Sequence, residues 1–168
     1  MKSTAILATN TSSIKLEVLS AEMQNPERLV GIHFFNPVAK MPLIEVIYSP
    51  VTSTEVIEKS LAFCRHIDKL PLKVKSSPGF LVNRVLMPTL IEAINMLDEG
   101  CLKEEIDASF TDFGMPMGPL KLADTVGLDV CYFVMDTICG ELGLKIPERL
   151  ERLVENGNLG VKSGVGFY

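Results

Sequence analysis

RLVGIHFFNPVAKMPLIEVIYSP, residues 28–50, decides how this chain is read. It holds two apolar runs, 29–35 and 41–48, joined by a short loop containing Asn36 and Pro37. Runs of this length, rich in Val, Ile and Leu and closed by turn residues, read as strands buried in a sheet. Each carries one side chain that such a strand normally excludes. His33 ends Leu29-Val30-Gly31-Ile32, and Glu45 sits among Leu43, Ile44, Val46 and Ile47. The loop centres near Ala39, so a hairpin about it sets opposite one another residues whose numbers sum to 78, as those of His33 and Glu45 do. Directly opposed Cβ atoms lie about 5 Å apart, close enough for an imidazole–carboxylate hydrogen bond. A carboxylate among aliphatic side chains is costly unless paired. The pair would fix one imidazole tautomer and leave the other ring nitrogen free as a base. A histidine at a strand end is also a common structural residue, so the pattern alone leaves both roles open.

The flanking sequence extends this into an α/β pattern. Residues 3–9 are β-prone and run into Asn10-Thr11-Ser12-Ser13, which can turn the chain and cap a helix over 14–23. Thr52-Ser53-Thr54-Glu55 offers a cap and an acidic first turn for a helix reaching about His66, and 70–75 reads as a further strand. Residues 1–75 therefore read strand-helix-strand-strand-helix-strand. After Ser77-Pro78-Gly79 the pattern changes. Val82, Leu86, Leu90, Ile94 and Leu97 recur at helical spacing, predicting a helix over 80–99, kinked at Pro88 and ended by Gly100. Helices over 103–113, from Pro119, over 129–140 and over 147–155 complete an all-helical second half, with the boundary near Ser76. No GxGxxG loop occurs. A sheet of about four strands without an opening phosphate loop is expected to be part of a larger domain.

Composition narrows the function classes. The 168 residues are 47% hydrophobic and 22% charged, with a net charge of −5, which is globular rather than disordered. No Lys/Arg block is present, which argues against a nucleic-acid surface. The apolar runs are too short to span a bilayer. The first residues lack a secretory pattern, so a cytoplasmic location, or an organelle matrix in a eukaryote, is expected. Cys64, Cys101, Cys131 and Cys139 show neither disulfide-framework density nor CxxC spacing and are expected to be reduced, mostly buried thiols, with no metal site. Taken alone, Ser12 reads as a helix cap, Asn83 as a polar residue bonded to nearby backbone, and His66 as solvated surface.

The stretches "ILATNTSS", "GIHFFNPVAKMPLIEVI", "SPGFLVNRVLMPTLIEA", "GMPMGPLKLADTVGLDV" and "GVGFY", in this order and spacing, resemble the L-3-hydroxyacyl-CoA dehydrogenases of fatty-acid β-oxidation over nearly the whole chain. "KMPLIEVI" looks more like the multifunctional β-oxidation proteins than the single-function enzymes. The resemblance implies a partial Rossmann-type α/β sheet, 1–75, as the C-terminal portion of an NAD-binding domain. A helical domain for dimerisation and substrate, 76–168, would follow. It implies that His33 is the catalytic base and Glu45 the acid that orients it. Ser12 would contact substrate and nicotinamide, Asn83 would lie near the thioester and hydroxyl, and Asn36 would contact the cofactor. The implied reaction is NAD-dependent oxidation of a 3-hydroxyacyl-CoA, by a homodimer. The family's phosphate loop and ribose-binding acid are absent from these residues, so the chain is expected to be a fragment, inactive alone.

Two other functions remain open on the sequence. One is a non-catalytic dimerisation or acyl-CoA-binding module without the cofactor site. The other is a related dehydrogenase acting on sugar acids or short hydroxy acids, against which "HFFNP" and "PGFLVNR" argue.

Overall fold

The computed structural model describes residues 2, 4–12 and 14–168. Met1, Ser3 and Ser13 lie outside the described residues, so the part of the expected strand and cap that falls on Ser3 and Ser13 lies outside them too. The chain divides after Val82 into two compact units.

The first unit is a four-stranded sheet of order β1-β2-β3-β4, formed by Leu7–Thr9, Leu29–Phe34, Leu43–Tyr48 and Leu70–Lys75. β1 runs parallel to β2, β2 antiparallel to β3, and β3 parallel to β4. Two α-helices, α1 (Leu16–Ser20) and α2 (Thr54–His66), and a 3-10 turn over Pro26–Arg28 accompany it among the described residues. The period-2 alternation of side chains sorts β2 and β3 onto two faces. Val30, Ile32, Ile44 and Val46 pack with Val56, Ile57, Leu61 and Cys64 of α2. Leu29 and Ile47 face the other way and pack with Leu16, Val74 and Phe80. Gly31 pairs with Ile47, and a Cβ on it would stand 2.8 Å from the Ile47 Cβ, so a larger residue would push the strands apart.

Two of these elements are shorter than the sequence suggests. β1 is three residues long because only Leu7, Ala8 and Thr9 find partners, Leu29, Val30 and Gly31. Upstream, the Ala5 carbonyl accepts the Arg28 Nε–H at 2.8 Å, which removes it from strand pairing. α1 spans five residues instead of ten, and its N-cap position is Lys15, which makes no side-chain cap bond. The cap comes from far along the chain: Ser76 Oγ accepts the Leu16 N–H at 3.1 Å and donates to Glu17 Oε2 at 2.6 Å. So short a helix has little stability of its own and depends on such tertiary bonds. α2 is capped as the sequence suggests, by Ser53 Oγ accepting the Val56 N–H.

The second unit is helical. α3 (Val82–Asp98) starts at the division, and α4 (Lys103–Phe113), α5 (Pro119–Val126), α6 (Leu128–Leu142) and α7 (Glu148–Glu155) follow. α3 begins two residues later than its apolar spacing suggests because Gly79 and Phe80 are left-handed, with φ of 68° and 51°. Pro88 lies inside α3. Met87, Leu90, Ile94, Ile106, Leu120, Leu128, Met135, Ile138 and Leu150 are among the residues forming one core. Two buried carboxylates tie its ends together. Asp107 accepts the Leu120 and Lys121 N–H groups opening α5, and also the Tyr168 hydroxyl at 2.9 Å. Asp124 accepts the Phe167 and Tyr168 N–H groups, both at 3.0 Å. Among the described residues, no helix is long and apolar enough to cross a membrane.

Candidate active site

His33 and Glu45 are register partners across β2 and β3, on the sheet face that carries Leu29, Ile47 and Phe80. His33 Nδ1 lies 2.8 Å from Glu45 Oε2. His33 is 6% exposed and Glu45 is fully buried, so water does not screen the pair.

The carboxylate has further partners. Its Oε1 accepts the backbone N–H groups of Leu81 at 2.9 Å and Val82 at 3.0 Å. An ionised carboxylate only accepts hydrogen bonds. With Oε1 occupied by two amides, the Nδ1 atom facing Oε2 must carry a proton. In the neutral ring Nε2 is then the nitrogen without a proton. Several kcal/mol of desolvation per buried ion make such a pair unfavourable without further hydrogen bonds, and the two amides on Oε1 supply them.

The imidazole plane is held by two aromatic rings. Phe35, just past the end of β2, lies 4.7 Å away centroid to centroid and tilted by 54°. Phe80 meets it edge-on at 5.9 Å.

Ser12 lies in the bend after β1, partly exposed, and Asn36 in the exposed bend after β2. β1 and β2 are parallel, so these two bends and His33 near the end of β2 gather at one edge of the sheet. Asn10 ties the edge together, its Oδ1 accepting the Phe34 N–H at 3.0 Å. In open α/β sheets ligands bind at the carboxyl ends of the strands. The edge thus carries a hydroxyl and an amide near the buried imidazole. A phosphate cradle has no counterpart among the described residues. Of the glycines with positive φ, only Gly79 belongs to the first unit, and it follows β4 rather than β1. Asn83 is the second residue of α3, half-buried, and belongs to the second unit. His66 is exposed at the end of α2, as its surroundings in sequence imply.

Three contributors escape a reading of side-chain types: the Leu81 and Val82 amides and the Phe80 ring. The amides carry no signature in the sequence. Only the Pro78-Gly79 turn ahead of a helix hints that backbone N–H groups are on offer there.

Cys64, Cys131 and Cys139 are buried and Cys101 is exposed. Burial, with Asp129 and Asp124 nearby, pushes the Cys131 thiol up to about 12. Among the described residues, no three His, Cys, Asp or Glu side chains cluster as a metal site would require.

The sheet with its helices is a Rossmann-like α/β unit, followed here by a helical domain. The family follows from comparison with known proteins. Residues 1–77 match the model of the 3-hydroxyacyl-CoA dehydrogenase NAD binding domain, and 79–168, more than half the chain, match that of the 3-hydroxyacyl-CoA dehydrogenase C-terminal domain. The chain belongs to the 3-hydroxyacyl-CoA dehydrogenase family, whose members are NAD-dependent oxidoreductases. It is 42% identical, over 99% of its length, to the fatty acid oxidation complex subunit alpha of Vibrio cholerae. It spans 24% of that relative's length. Among solved structures it is similar to the (S)-3-hydroxybutyryl-CoA dehydrogenase of Ralstonia eutropha, with 39% identity and a TM-score of 0.94 over 99% of this chain and 61% of that one. The 3-hydroxybutyryl-CoA dehydrogenase of Escherichia coli matches with 41% identity and a TM-score of 0.91, over 97% of this chain and 36% of that one.

Proposed function

We propose that these residues form the catalytic part of an NAD-dependent dehydrogenase that oxidises (S)-3-hydroxyacyl-CoA to 3-oxoacyl-CoA in fatty-acid β-oxidation. The observation that carries this is the His33–Glu45 pair, buried and with both carboxylate oxygens hydrogen-bonded, in a chain of this family. Residues 1–75 serve as the C-terminal portion of the NAD-binding domain and 76–168 as the dimerisation and substrate domain.

His33 Nε2 takes the proton of the C3 hydroxyl. Glu45 holds Nδ1–H in place and stabilises the imidazolium that results. NAD, when bound, supplies the acceptor for the C3 hydride. Ser12 and Asn36, at the carboxyl edge of β1 and β2, hold the nicotinamide end, and Ser12 also contacts substrate. Asn83 holds the thioester and hydroxyl end of the substrate. The protein works as a homodimer through its helical domain.

The test is His33→Gln in the intact protein carrying these residues. Base catalysis contributes about 10²–10⁴-fold, so kcat falls by that range. Acyl-CoA affinity, set in the ground state, stays within a few-fold. Near-normal turnover would move the base elsewhere.

A further inference from the structure

The turn over 76–81 joins β4 to α3, and one residue in it is out of place. Phe80 has φ of 51° directly after Gly79 at 68°. Glycine adopts that region freely, whereas a bulky side chain occupies it only under strain. The surrounding bonds hold the strained form. The Phe80 N–H donates to the Ser77 carbonyl at 3.0 Å, and Ser77 Oγ donates back to the Phe80 carbonyl at 3.2 Å. The backbone at this position favours glycine, yet the residue is a phenylalanine that is 1% exposed. The ring is therefore what the position requires.

The ring has a specific neighbour. It packs among Leu16, Leu29, Ile47 and Val74 and meets the His33 imidazole edge-on at 5.9 Å. The same left-handed pair aims the next two N–H groups, of Leu81 and Val82, at Glu45 Oε1. One turn thus touches both halves of the pair: its amides bond the carboxylate, and the Phe80 ring meets the imidazole edge-on beside Phe35.

We infer that Phe80 is a positioning residue for the His33–Glu45 pair, its strained backbone retained so that its ring holds the His33 imidazole in the orientation that keeps Nδ1 on Glu45. This rests on the proposed role of His33 as the base. Phe80 acts through His33 and needs no contact with substrate.

The test compares Phe80→Gly, which relieves the backbone and removes the ring, with Phe80→Leu, which keeps apolar volume, in the intact protein. Two signals are read. Steady-state kinetics give kcat and KM for a 3-hydroxyacyl-CoA, and ¹⁵N-resolved NMR of the imidazole follows the His33 Nδ1–H. In the unsubstituted protein this proton is expected as one sharp, slowly exchanging signal. Misplacing a reacting group costs up to about a hundredfold, so Phe80→Gly is expected to lower kcat by roughly tenfold or more. KM should stay within about twofold, and the His33 signal should broaden or disappear. Phe80→Leu is expected to fall between the two. A sharp, unshifted His33 signal in Phe80→Gly overturns the inference, as does an unchanged kcat or a loss confined to KM. If Phe80→Gly fails to fold, the same readings on Phe80→Leu decide, an unshifted signal or an unchanged kcat again overturning the inference. The His33→Gln variant separates the two claims. If it retains turnover, the base assignment fails, while the NMR comparison still decides whether Phe80 positions the ring.

Discussion

Glu45 Oε1 accepts two backbone N–H groups, from Leu81 and Val82, while its Oε2 faces His33 Nδ1 at 2.8 Å. The carboxylate is thus an acceptor on both oxygens, and this dictates which nitrogen of His33 carries the proton.

Glu45→Gln is expected to invert that assignment at small structural cost. The amide oxygen accepts from Leu81 and Val82, so its NH₂ group must turn toward His33 and donate to Nδ1. The proton then moves to Nε2, and the base is lost. We expect kcat in the intact protein to fall by about 10²–10⁴-fold, with a stability loss of about 1–3 kcal/mol. Turnover close to normal would show that tautomer control by Glu45 is not needed.

The 168-residue chain by itself is expected not to bind NAD at micromolar concentration. Ser12 and Asn36 offer polar contacts worth about 1 kcal/mol each. Micromolar affinity needs about 8 kcal/mol, and no Gly-rich nest for the pyrophosphate is found among the described residues. Calorimetric titration with NAD and NADH, beside an acetoacetyl-CoA reduction assay, checks this. Micromolar binding or measurable reduction would reveal a cofactor site built by other residues.

The helical unit is expected to dimerise through side chains that its own core leaves out. Met87, Leu90, Leu128, Val134 and Met135 are buried within that core, whereas Val126, Val130 and Phe133 are exposed. Phe133, on α6, is 58% exposed. A unit of this size buries only part of its apolar surface alone. We expect the unsubstituted chain to scatter light as a dimer at tens of micromolar and Phe133→Glu to shift it to monomer. A clean monomer mass without the substitution would refute dimerisation of this chain.

Thiol labelling is expected to single out Cys101. The thiolate is the reactive form. Burial holds Cys131 protonated up to about 12 and raises Cys64 and Cys139 as well. At pH 8 these three remain thiols, shielded from reagent. Mass spectrometry after brief iodoacetamide treatment should find one adduct per folded chain and four after unfolding. Early labelling of Cys131 would mean that its helix opens on that timescale.

The sequence by itself determined the layout of the strands and helices and the pairing of His33 with Glu45. Both are local matters. Apolar periodicity and turn residues mark elements such as α2, β4 and α4, and the symmetry of the two apolar runs about Ala39 anticipates the β2–β3 register. What the tertiary structure alone decided are bonds between residues far apart in the chain. Ser76 Oγ, sixty residues away, accepts the Leu16 N–H that opens α1. Asn10 braces the edge beside Phe34. The left-handed turn at Gly79 and Phe80 delays α3 and turns two anonymous amides and one ring onto the His33–Glu45 pair. Backbone N–H groups are present at every residue but proline, so their type says nothing about their aim. Aim is set by φ and ψ, and a phenylalanine at positive φ is chosen by the packing around its ring, against its own local preference.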